Sequence, residues 1–259
     1  MQFIPLSADV LADALQHQSI GKHIIYQHVM PSTMDVAQAA IKSDAPHGTV
    51  VVCEQQEHGH GRLSRQWFSP LGGVYLSVIL YLPQSFLSRL TVWASLATAD
   101  AIREVCELDV HFKWPNDVLL NGKKVSGIMA RSGQDACGRL WAVVGIGINA
   151  NLILTEQPAE IASISAFLSE VKDHEVSRNH LIISLLKHCE QRYDALMRGE
   201  TFIDEWRLKL VTLGKFVVVK NGTNVYEGLA EMVDDDGALL LREPEGKLVK
   251  VPAGDVTLR

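Results

Sequence analysis

Residues 59–67 read Gly59-His60-Gly61-Arg62-Leu63-Ser64-Arg65-Gln66-Trp67. The two glycines let a backbone approach a ligand with no Cβ in the way. Arg62 and Arg65 carry permanently charged planar forks that match the oxygens of a phosphate or a carboxylate. Trp67 adds a flat indole face. Such a loop suits an anionic small molecule; a solvated basic loop is the plainer alternative. The pattern Gly59-x-Gly61-x-x-Ser64 stops one glycine short of the dinucleotide fingerprint. That fingerprint must also open a helix, whereas Trp67-Phe68-Ser69-Pro70 follows here, so a Rossmann site is set aside.

A second group of chemically useful residues lies between His111 and Ile128. Asn121-Gly122 between apolar runs is a strong hairpin signal. With those two as the turn, Leu120 pairs with Lys123, Leu119 with Lys124 and Asp117 with Ser126. Cross-strand partners share a face, so Lys124 and Asp117 become diagonal neighbours, roughly 7–8 Å apart at the backbone. A lysine and an aspartate aimed into one pocket can serve an anion and its metal ion. Pro115 cuts the ladder and holds Asn116 and Asp117 at the start of the strand. A surface hairpin with a solvated lysine fits the same letters, and Lys123, on the opposite face, reads as solvated.

These residues need strands to hold them. Gly48 to Cys53 reads as a buried strand leading into the arginine loop, and Gly73 to Tyr81, apolar on both faces, as a central strand leaving it. Ile24 to Val29 and Leu140 to Asn149 supply further strands, the latter ending in glycines that allow close approach. Ser32 and Asp35 have capping-box spacing ahead of a helix starting near Val36, and Ser32 fits a plain helix cap as well. Apolar residues spaced by three and four predict helices over Ala8–Gln16, Arg89–Cys106 and Asn179–Met197, with Trp93 in the core and His180 and His188 solvated. Pro158 to Leu168 reads as irregular with one short helix, and Phe202–Trp206 opens a last short one. After Gly214 five short strands alternate with tight turns, which predicts a small barrel packed on the main domain. The expected fold is α+β (α/β), a mixed sheet with packed helices over residues 1–212 and a barrel over 213–259.

The 259 residues are 47% hydrophobic, enough for a large core with a smaller one beside it. No apolar run approaches the ~20 residues needed to cross a bilayer. The start Met1-Gln2-Phe3-Ile4-Pro5 lacks the pattern of a signal peptide. Cys53, Cys106, Cys137 and Cys189 form no Cys-x-x-Cys pair, which suits free thiols in a reducing cytoplasm. A net charge of −6 gives no basic footprint for DNA or RNA.

Taken together, the two stretches resemble the biotin protein ligase family, also called biotin–[acetyl-CoA-carboxylase] ligase. That family's loop is Gly-Arg-Gly-Arg-x-Gly-Arg-x-Trp. Its Lys-Trp-Pro-Asn-Asp signature stands here as Lys113 to Asp117, with Lys124 and Gly127-Ile128 beyond, and Gly145-Ile146-Gly147-Ile148-Asn149 matches a third signature. The family's Ser-Thr-Asn is present as Ser32-Thr33-Met34. The resemblance implies a class II synthetase-like catalytic domain with an SH3-like C-terminal barrel. It also implies a two-step reaction: biotin and ATP give biotinyl-5′-adenylate, and a lysine of a biotin carboxyl carrier protein then takes the biotin.

By motif match, Arg62 and Lys124 hold the biotin carboxylate and the phosphate, and Arg65 meets the ATP phosphates. Asn116 and Asp117 position nucleotide and metal, with Asp117 as the Mg²⁺ ligand. Trp67 and Asn149 border the adenine. Ser32, Thr33 and Gln56 bond the ureido ring, with Met34, His60, Gly61 and Gly127 also lining the biotin site. Arg62, Lys124 and Asp117 are the expected catalytic set. Three departures stand out. His60 replaces an arginine, which weakens a phosphate contact or makes it pH-dependent; Ser64 replaces a glycine; Met34 replaces an asparagine and leaves at most a backbone contact. Some members carry an N-terminal DNA-binding domain; the short, unbasic leader here predicts no operator binding. The rivals are a lipoate or octanoyl transferase of the same fold, whose Arg-Gly-Gly-Gly-x-Val-x-His motif is absent, and a non-catalytic biotin or adenylate sensor. An exposed sheet edge offers a way to form a homodimer.

Overall fold

A computed structural model describes residues 3–62, 65–151 and 158–258. Seven strands form one mixed sheet: β1 (Ile24–Met30), β2 (Val50–Gln56), β3 (Val74–Tyr81), β4 (His111–Lys113), β5 (Asp117–Leu120), β6 (Lys123–Gln134) and β7 (Leu140–Ile148). Their order is β1-β2-β3-β7-β6-β5-β4, parallel between β1 and β2 and antiparallel elsewhere. β3 is central, as its two-sided apolar pattern predicts. Leu76 and Val78 face a large core with Trp93, while Tyr75 and Ile79 face a smaller one with Met34 and Ala37.

The larger core lies under α3 (Leu90–Cys106) and α6 (Arg178–Met197), and the smaller under α2 (Thr33–Lys42). Trp93 is buried, and its indole N–H donates to the Cys189 carbonyl at 3.1 Å, which joins α3 to α6. His180 is exposed as expected, but His188 is partly covered and bonds Glu104 at 2.8 Å. The N-terminal segment before α1 (Ala8–Leu15) is pinned by a buried ion pair. Arg178 bonds Glu54 at 2.5 Å and the Ile4 carbonyl at 2.6 Å, and Glu54 accepts the Leu6 amide at 2.5 Å.

One expectation changes. The β5–β6 hairpin turns at Asn121-Gly122 with Leu119 opposite Lys124, but Val118, not Asp117, faces Ser126, and Asp117 faces Gly127. Val125 is the extra residue of a bulge, its carbonyl turned to accept the Asn149 amide at 2.8 Å. The stretch from Pro158 to Leu168 holds one short helix as expected, α4 (Ala159–Ile164), and a second, α5 (Leu168–Lys172), begins where it ends. Between them the chain runs extended because Ala166 N–H bonds the Lys124 carbonyl and Leu168 N–H the Asn149 carbonyl.

After α7 (Ile203–Leu208), strands β8 (Phe216–Asn221), β9 (Asn224–Val233), β10 (Leu239–Arg242), β11 (Leu248–Val251) and β12 (Asp255–Leu258) make a second, antiparallel sheet in the order β11-β10-β9-β8-β12. Val217, Val219 and Leu239 join the larger core, so this unit packs on the first. Trp114, fully buried, donates its indole N–H to the Gly237 carbonyl at 2.9 Å across that junction.

Candidate active site

The arginine loop hangs between β2 and β3 and is closed by its own backbone: Trp67 N–H to the Gly59 carbonyl and Gly61 N–H to the Arg65 carbonyl, both 2.8 Å. A Cβ on Gly59 would stand 2.4 Å from the Trp67 carbonyl. That glycine is therefore required by the loop's own closure. Leu63 and Ser64 lie outside the described residues, and the departure at Ser64 with them. Arg62 donates to Asn116 Oδ1 at 3.1 Å and to the Gly254 carbonyl at 3.2 Å. Burial pulls its pKa below arginine's ordinary value, and Asp255 and Asp117 push it back. Arg65 pairs with Asp255.

Asn116 is fixed from its other end, Nδ2 donating to the Ile128 carbonyl at 2.8 Å. Next to it Lys124 Nζ meets Asp117 Oδ1 at 2.6 Å and stands 5.1 Å from the Trp67 ring centroid. Gly127 and Gly147 make room for that indole: a Cβ on either would come within 2.8 Å or 2.5 Å of it. Asn149 is buried and ties its amide Nδ2 to the Lys124 carbonyl at 3.2 Å, so it secures the bulge that aims the lysine.

At the other end of the cleft Ser32 caps α2, accepting the Met34 amide at 3.3 Å. The second half of the capping box is not made, because the Asp35 carboxylate faces His60 Nε2 at 2.8 Å and Arg131 at 3.7 Å. A carboxylate only accepts, so Nε2 of His60 carries hydrogen. This contact ties the arginine loop to the start of α2. Gln56 Oε1 accepts from Thr33 N at 2.9 Å and Thr33 Oγ1 at 3.2 Å. Met34 is buried, its Cγ and Sδ filling the space that Gly145 leaves.

Together these elements wall a cavity of about 340 Å³, the size of an ordinary small-ligand pocket. Ser32, Thr33, Met34, Gln56, His60, Gly61, Arg62, Arg65, Trp67, Asn116, Asp117, Lys124, Gly127 and Asn149 all lie on it. So do residues the sequence reading missed: Lys113, inside the quoted signature, Ile161 of α4, Ser165 at its C-terminal end, and Asp255 of β12. No local pattern marked the last three. Among the described residues no cluster of three or more His, Cys, Asp or Glu could hold a metal ion. Asp117 alone fits an ion that arrives with phosphate oxygens and water as its other ligands, the usual habit of Mg²⁺.

A desolvated guanidinium, an ammonium and a carboxylate converging on one cleft, beneath a sheet flanked by helices, define a site for joining or transferring anionic groups. Residues 26–151 match the biotin/lipoate A/B protein ligase family, and residues 212–259 match the biotin protein ligase C terminal domain. The bifunctional ligase/repressor BirA of Bacillus subtilis (strain 168) is 33% identical over 258 residues, 98% of this chain and 79% of that one. The biotin–[acetyl-CoA-carboxylase] ligase of Paracoccus denitrificans is 32% identical over 80% of this chain and 88% of its own. The solved structure of biotin protein ligase from Aquifex aeolicus in complex with biotin and ATP superposes with a TM-score of 0.79. It is 29% identical, covering 92% of this chain and 99% of that one. The chain belongs to the biotin protein ligase family, and it is a ligase. No helix among the described residues is long and apolar enough to cross a membrane.

Proposed function

We propose that this protein activates biotin with ATP and transfers it to a specific lysine of a biotin carboxyl carrier protein. The observation that carries the reading is the unbroken contact series Arg62–Asn116–Asp117–Lys124 on one cavity wall. In the first step a biotin carboxylate oxygen attacks the α-phosphorus of ATP. The bond from that phosphorus to the bridging oxygen breaks, and pyrophosphate leaves. Two anions must meet, so the positive charge of Arg62 and Lys124 lowers the barrier by screening them where charge accumulates. In the second step the carrier lysine's amine attacks the acyl carbon, AMP departs with the bond's electrons, and the amine loses a proton. Most of the rate comes from holding the partners in line.

Arg65 meets the ATP phosphates, Trp67 and Asn149 border the base, and Ser32, Thr33 and Gln56 hold the ureido ring. Asp117 would hold Mg²⁺, which supplies Lewis-acid neutralisation of the phosphates. The functional units are residues 1–212 and 213–259, with an SH3-like arrangement in the second. The net charge of −6 supports a small-molecule and protein clientele rather than DNA. Three buried thiols and no disulfide among the described residues support a cytoplasmic place.

Pyrophosphate release measured with biotin, lipoate or octanoate as the acid tests the reading. Release that needs both ATP and biotin supports it. Preference for lipoate or octanoate moves the protein to the sister activity, and binding of biotin without release makes it a sensor.

A further inference from the structure

Behind the ureido end of the cleft runs a one-way series of hydrogen bonds. Ser77 Oγ donates to Thr33 Oγ1 at 2.8 Å, and Thr33 Oγ1 donates to Gln56 Oε1 at 3.2 Å. Gln56 Nε2 donates to Ser69 Oγ at 2.8 Å, and Ser69 Oγ donates to the Trp67 carbonyl at 2.9 Å. The direction is forced from both ends. The Thr33 backbone N–H, 2.9 Å from the Gln56 carboxamide, can only donate, so oxygen must face it. The Trp67 carbonyl can only accept, so the Ser69 proton points at it and its lone pair is left for Gln56. Ser77 is fully buried, Ser69 is 4% exposed, and neither lies on the cavity wall. Gly59 closes the series off, since a Cβ there would sit 2.6 Å from Ser69 Oγ and 2.9 Å from Gln56 Nε2.

This arrangement leaves the cleft a defined polarity. Gln56 has spent both oxygen lone pairs and one N–H, so the group it can offer a ligand is its second N–H, a donor. Thr33 Oγ1 has given its proton to Gln56 and taken one from Ser77, so it can offer a ligand only a lone pair. We propose that Ser69 and Ser77, which do not reach the ligand, are positioning residues that lock this donor-beside-acceptor pair and thereby set selectivity for a cyclic urea. The inference rests on the ligase reading above. A ring presenting C=O beside N–H satisfies the pair, whereas a weakly accepting thiocarbonyl leaves the Gln56 N–H underbonded in a dry site.

The test uses the full chain, comparing biotin with its thiourea analogue, in which sulfur replaces the ureido oxygen. Ser69→Ala removes the acceptor and donor without adding bulk; Ser77→Ala removes the donor to Thr33. Each variant should raise KM for biotin roughly five- to tenfold, the worth of one neutral hydrogen bond, with kcat and KM for ATP unchanged. The preference for biotin over the analogue should narrow by a similar factor. An unchanged KM for biotin in both variants overturns the proposal. So does a parallel loss of biotin, ATP and turnover parameters with a lowered melting temperature, which marks a merely structural role. If the unsubstituted protein releases no biotin-dependent pyrophosphate, the ligase reading itself fails, and this inference with it.

Discussion

The ammonium of Lys124 lies 2.6 Å from the Asp117 carboxylate across a bulge that slips their strands by one residue. The slip puts Gly127, not Ser126, opposite Asp117. With no side chain there, the lysine stem lies over the strand: a Cβ would come 3.1 Å from Lys124 Cε. The same glycine admits the Trp67 indole, and the ring and the carboxylate together fix where the ammonium points. Lys124 is thus held in place before any anion arrives.

Replacing that lysine removes a preset charge and leaves Asp117 without its ammonium partner. Lys124→Met should therefore slow adenylate formation roughly 100- to 1000-fold, the cost of losing one charge-stabilising donor in a transition state. Single-turnover pyrophosphate release reads this directly. A rate within threefold of the parent removes Lys124 from the chemistry.

Arg62 spans two bodies, since its guanidinium touches Asn116 of the first sheet's domain and the Gly254 carbonyl in the second. Arg62→Gly removes the charge-assisted bonds expected to retain the adenylate. Adenylate should then dissociate roughly 10- to 100-fold faster, by the worth of hydrogen bonds to charged groups. Retention of labelled adenylate after gel filtration measures it, and loose biotinylation of bystander proteins should accompany the leak. Unaltered retention and unaltered labelling would show that the role given to Arg62 is wrong.

What the sequence made legible follows the range of each interaction. The strand around β3, the α3 and α6 stripes and the Asn121-Gly122 turn are local periodicities, and each is found where the pattern puts it. The bulge at Val125 is set by Asn149 and the Lys124–Ala166 link, contacts distant in sequence that no hairpin rule contains. Asp255 reaches the site only because β12 folds back beside the arginine loop. Ser69 and Ser77 read as a turn residue and a strand residue; their bonds to Gln56 and Thr33 exist only in the folded chain. Gly147 sits inside a quoted signature, yet its reason, a Trp67 indole that would be 2.5 Å from any Cβ, needs both strands and loop in place.

Outside the site, the Arg178–Glu54 pair is nearly inaccessible, each side chain being 2% exposed. Glu54→Gln should destabilise the fold by about 3–5 kcal/mol, because it strands a buried guanidinium. Urea unfolding monitored by tryptophan fluorescence gives the number, while KM for biotin in the surviving folded protein should hold. A loss below 1 kcal/mol would mean that water reaches the pair on substitution.

His47 gives the fold an acid limit of its own. It is half-buried against the Tyr193 ring, and its Nδ1 accepts the Tyr81 amide at 3.1 Å. Burial lowers its pKa below the ordinary histidine value, and the nearby Glu190 carboxylate only partly opposes that. The folded state thus prefers the neutral ring, and the unfolded chain binds the proton more readily. Stability from this site is complete above about pH 6.5, the unfolded value, and drains away as pH falls through the lower folded value. A His47→Asn variant, whose amide oxygen can still accept from Tyr81, should lose less stability between pH 7 and pH 5 than the parent. Parallel stability–pH curves for the two proteins would place the acid sensitivity elsewhere.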